Sequence, residues 1–158
     1  HSGWAFDRQG IEAFISQNNR TDRLDAVRIS GENSGYEHRL EVASHEDFGW
    51  TMGFHYGKMP PGKPGWLFYN SYSRDDSLWG ANQFMMIQLK AETEGPVIWR
   101  ISPAYNHYDG EYRDEAPAAI NLIGNRIYWA SNWGGMLDHR EVFMMELPDD
   151  WDRALLQP

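Results

Sequence analysis

The stretch NRIYWASNWGG at residues 125–135, followed by REVFMMELP at 140–148, decides how this chain is built, because both have echoes upstream. GIEAFISQNN (10–19) with LDAVRIS (24–30) is one echo, and GWLFYNSYS (65–73) with QFMMIQL (83–89) is the other. Aligned on Ser16, Ser71 and Ser131, each version has Gly10, Gly65 or Asn125 six residues ahead. The serines recur 55 and 60 residues apart, and Ile29, Leu89 and Leu147, which end the following segments, recur 60 and 58 apart. A period of that length is a supersecondary unit. Its runs are short, β-branched or aromatic, and bounded by Gly, Asn, Asp and Pro, which is the composition of strands joined by turns. Residues 7–15 have a weak helical pattern, but the repeat places them in a turn and a strand.

Working outward, the first unit (about residues 1–45) supplies SGWAFD, IEAFIS, LDAVRIS and HRLEVAS as strands, and the second (48–103) supplies WTMGFHY, GWLFYNSY, QFMMIQL and VIWRIS. The third (114–150) supplies APAAINL, RIYWASNW and EVFMMEL, after which PDDWDRALLQP is too rich in Asp and Pro to be a fourth strand. Trp66, Leu67, Phe68 and Tyr69, and likewise Ile127, Tyr128 and Trp129, are apolar on successive residues, so both faces of their strands are expected under neighbouring sheets. The fold expectation is all-β: antiparallel four-stranded propeller-type blades, about three of them, with 1–158 as one propeller-like domain or fragment. A β-sandwich of about eleven strands carries the same period-2 pattern and stands beside it. Closed propellers have about four to eight blades, so this incomplete set predicts a homo-oligomer or the remainder of a larger propeller as partner.

Composition narrows the function classes. The net charge is −9 and no Lys/Arg cluster appears, which excludes a partner read through its phosphate backbone, so no nucleic acid is expected. No apolar run reaches the roughly 18 residues of a membrane span. The absence of cysteine removes disulfides, thiolate metal sites and Cys nucleophiles. The chain opens at His1 without Met or a leader-like apolar stretch, which predicts a removed leader or a start inside a longer protein. Aromatic residues make up 15% of the chain and eight are Trp, an excess that calls for a thick core or a ligand to cover it.

The stretch from YRDEAPAAINLIGNRIYWASNWGG to REVFMMELPDDW resembles the last blade of the TolB-like and oligogalacturonate-lyase-like propellers, and the likeness extends over all three units. Their Asp-Gly hairpin appears here as RQG, KPG and IGN. The lyase branch implies a divalent cation in the channel, held at the starts of the innermost strands, where this chain has His1, His55 and Glu115. Imidazole nitrogen and carboxylate oxygen suit such an ion. Pro117 stands where that pattern would have a further His. A periplasmic or secreted location is what the likeness favours. The role it implies is either a non-catalytic binding or scaffold module, or the C-terminal part of a carbohydrate-active propeller with Arg100, Arg113 or His107 as local candidates for the base.

Other candidates come from the residues themselves. NHYDGEY (106–112) offers His107, Asp109 and Tyr112 for a sugar, the rings as flat faces and the carboxylates as acceptors; an ordinary Asp-Gly turn is the plainer reading. Trp79 and Trp133 lie in equivalent loops of their units, suited to a ligand or to packing between units. No nucleophile elbow, Walker loop, dinucleotide fingerprint or His-Glu-x-x-His is present, so those enzyme classes have no motif to stand on.

Overall fold

A computed structural model describes residues 2–48, 52–90, 94–95 and 97–156. Eleven strands and two single-turn helices are present among them, and every strand pairing is antiparallel. The strands are β1 (Ser2–Phe6), β2 (Glu12–Asn18), β3 (Arg23–Arg28) and β4 (Leu40–Ser44), then β5 (Gly53–Gly57), β6 (Trp66–Tyr72), β7 (Gln83–Gln88) and β8 (Val97–Pro103). The last three are β9 (Ala118–Ile120), β10 (Arg126–Ser131) and β11 (Glu141–Glu146). The helices are α1 (His45–Phe48) and α2 (Trp151–Ala154). Each strand lies where the repeat places one, and the described residues after 147 form no fourth strand of the last group but the turn of α2.

Each group is a meander, β1 to β4, β5 to β8 and β9 to β11, in which each strand pairs with the next in the chain. The first two join into one curled eight-stranded sheet through a single bridge, Phe6 to Trp66. The third is separate. The hairpin turns show why the repeat survives degenerate spelling. Asp7 Oδ1 accepts from the Gln9 and Ile11 amides, Asn121 Oδ1 accepts from Asn125 and Arg126, and Gly10 and Gly124 take the left-handed φ that closes each turn. An Asx side chain followed three residues later by Gly is the signal that these two turns share.

The meanders pack face to face. In β6 every residue is buried, because Leu67 and Tyr69 face the first meander while Phe68 and Asn70 face the third. Gly3 lies against Tyr56 where the first meander meets the second, Phe84 meets Trp129 edge-on at 5.0 Å where the second meets the third, and within the second Phe54 stacks on Tyr69 at 5.2 Å. Trp151 packs on Trp66 and donates to the Gly124 carbonyl at 2.7 Å, pinning the chain end to the second meander. The expectation that β10 is covered on both faces needs correction. Ile127 and Trp129 are buried, but Tyr128 is 39% exposed, because no further sheet lies on that side.

Candidate functional site

The strand registers align the three units residue by residue. Ser2 pairs with Ser16 and Phe54 with Ser71, while Ala118 pairs with Trp129, two residues ahead of Ser131. His55 therefore corresponds to Gly3 in the first meander and to Pro117 in the third. His1 itself lies outside the described residues. Glu115, on the turn leading into β9, reaches across to β5 instead: its Oε2 lies 2.9 Å from His55 Nε2, with both side chains largely buried, though out of hydrogen-bond alignment.

Around this pair the structure gathers side chains from β6 and from the loop at 106–112. The Tyr72 hydroxyl bonds to the Glu115 carboxylate, and its ring lies 5.2 Å from the His55 ring. Burial, then the Glu115 charge and that hydrogen bond, push the Tyr72 phenol well up from its ordinary value and keep it a donor. Tyr108 packs edge-on against Tyr72 at 5.0 Å, and the exposed Tyr112 also acts on the Tyr72 phenol. Tyr72 sits close because β5 has Gly53 opposite it: a Cβ there would lie 2.2 Å from the ring. Asn70, cross-strand from His55 and fully buried, donates to the Ala116 carbonyl at 3.2 Å, while its Oδ1 has no partner. A buried amide oxygen without a donor costs free energy and invites a ligand or water.

Ala116 has φ 50, which turns Glu115 toward β5, and Tyr105 (φ 49) and Trp133 (φ 51) are left-handed as well. Such conformations in residues with a Cβ persist only where the surroundings enforce them. Here the Tyr105 carbonyl accepts from Ser131 Oγ and the Gly134 amide, and Ser131 Oγ accepts from the Trp133 amide. The Tyr105 and Trp133 rings then stack at 4.7 Å, and Phe143 stacks on the other side of Trp133 at 4.7 Å.

His107 and Asp109 line a polar pocket of about 220 Å3 with Arg113, Asp114, Asn132 and Arg140, held by exchange of hydrogen bonds between Asn132 and His107. The buried Asp114 is neutralised by Arg140. At its rim His139 lies between Asp138 (2.7 Å) and Glu141 (3.1 Å), and these bonds raise its imidazole above the ordinary value. Trp79 stands apart, capped by the Arg100 guanidinium at 5.1 Å, and Arg100 also donates to the Trp79 carbonyl. Of the sequence candidates, the structure thus joins His55 with Glu115 and His107 with Asp109, stacks Trp133 between Tyr105 and Phe143, and leaves Trp79 elsewhere. Tyr72, Asn70 and Tyr108 were missed. The available signal was Asn70, a polar residue directly after the four apolar residues 66–69.

Among the described residues no group of three or more His, Cys, Asp or Glu side chains is placed to hold a metal ion. His55 and Glu115 face each other in direct contact, which is the geometry of an ion pair and a poor fit to a cation held between them. Among the described residues no helix is long and apolar enough to cross a membrane. No family model, curated protein or solved structure matches the chain.

Proposed function

We propose that this chain is a non-catalytic binding module of propeller-type blades, whose ligand is taken at the ends of the innermost strands β5 and β9. The blade reading is supported by consecutive four-, four- and three-stranded meanders that follow one another in chain order, Gly3 of the first against Tyr56 of the second and Phe84 of the second against Trp129 of the third. The observation that carries the binding reading is the buried set His55, Glu115, Tyr72 and Asn70, in which Asn70 Oδ1 is left without a donor and the aromatic rings of Tyr72 and Tyr108 stand alongside. Stacking faces beside fixed donors and acceptors suit a hydroxylated ring such as a sugar, whose C–H face packs on aromatics and whose hydroxyls donate to amide and carboxylate oxygens. A lyase-like role has less support. Arg100 is tied to Trp79, and no third ligand joins His55 and Glu115 among the described residues.

Calorimetric titration with neutral oligosaccharides, uronate oligosaccharides and the ions Mn²⁺, Ca²⁺ and Zn²⁺ tests the reading. A neutral or acidic sugar is expected to bind, Tyr72→Phe and Asn70→Ala are expected to weaken it at least tenfold, and Trp79→Ala is expected to leave it unchanged. Binding of a metal ion that His55→Ala abolishes would turn the reading toward the lyase-like alternative. Silence from every sugar would overturn it.

A further inference from the structure

The three meanders use two kinds of face, and the chain leaves one of each uncovered. In the second meander Phe68, Phe84 and Met86 are fully buried beneath the third sheet. The register makes their counterparts Tyr128, Val142 and Met144, on the outer face of the third sheet, where they are 39%, 76% and 50% exposed. On its opposite side the second meander presents Tyr56, Tyr69 and Met85 to the first, and Tyr69 and Met85 are buried there. Their counterparts Trp4, Phe14 and Val27 lie on the outer face of the first meander, with Trp4 38% exposed and Phe14 and Val27 half-buried. An exposed apolar patch of this kind marks an interaction surface.

The two open faces are thus the two halves of an interface that the chain already makes twice within itself. We propose that a second copy of this chain covers them, the Trp4 face of each copy seated on the Tyr128 face of the other. The internal interfaces argue for this occupant: each is an outer face of one meander on the inner face of the next, and only another copy brings both halves. Two chains give six units, within the range of about four to eight at which blades close a ring, and closure satisfies every face at once. The β11 edge has no fourth strand and no Lys or Pro to protect it, so it too is left for the assembly to cover. The inference rests on the blade reading of the sheets.

Light scattering on the chromatographed full chain at micromolar concentration tests it, with Met144→Glu and Trp4→Glu, both at exposed positions, as one variant for each face. Wild type is expected at twice the 18.4 kDa chain mass, and each variant is expected to elute as a single chain with an unchanged circular dichroism spectrum. Mixing the two variants restores one intact interface and should return mixed dimers. A single-chain mass for wild type, a mass that climbs with concentration, or a dimer sensitive to only one of the two variants would overturn the proposal. Sugar titration of the Met144→Glu chain separates the two readings, since ligand binding by a single chain leaves the binding site standing without the ring, and a dimer deaf to all sugars does the reverse.

Discussion

Gly53 sets how the Tyr72 ring lies, because only a residue without Cβ allows the ring to cross β5 on its way to Glu115. Adding a methyl there overpacks a buried contact, so Gly53→Ala should lower stability by about 1–3 kcal/mol, read from urea melts. It should also displace the Tyr72 hydroxyl from Glu115 and weaken whatever ligand that site takes. A change at an open glycine such as Gly62, where nothing lies within 4 Å of the missing Cβ, serves as the control with little effect. Local pattern shows that Gly53 begins a strand. It does not show that Tyr72, nineteen residues on, lies across it, since that pairing is set by the long loop between β5 and β6.

At the scale of elements, β6 is covered from both sides and β11 from one, and the same substitution should therefore cost very different amounts. Phe68 is wholly buried between sheets, so Phe68→Ala should lose about 3–5 kcal/mol through lost transfer energy and the cavity left behind. Phe143 sits half-buried on an edge strand, and its ring contacts are to Trp129 and Trp133. Phe143→Ala should cost about 1–2 kcal/mol, the scale of two aromatic contacts. Equal losses in denaturant melts would mean that Phe143 is packed as deeply as Phe68. All eleven strands were legible as elements, because period-2 runs and Asx-Gly turns are local signals. Which faces are covered was legible for β6, with its four consecutive apolar residues, and misread for β10, whose Ile-Tyr-Trp looks the same in sequence but has a neighbour on one side alone.

Across the whole molecule, the chain stacks three similar layers and leaves its first and last faces bare. If a second copy covers them, stability is linked to concentration: the melting temperature should rise with wild-type concentration and stay constant for Met144→Glu, measured by differential scanning calorimetry. A wild-type melt independent of concentration would speak for a chain that folds alone. What the sequence determined by itself is the repeat, the antiparallel all-β class and the strand positions, because each strand and its turn is written within a short local span. The tertiary structure alone decided that His55 and Glu115 lie in direct contact, that Tyr72 and Asn70 belong beside them, and that Trp79 does not join Trp133. Those outcomes depend on register and on which sheet faces which. Register shifts by one residue exchange every side chain between faces, and no local stretch of sequence records the partner across the gap.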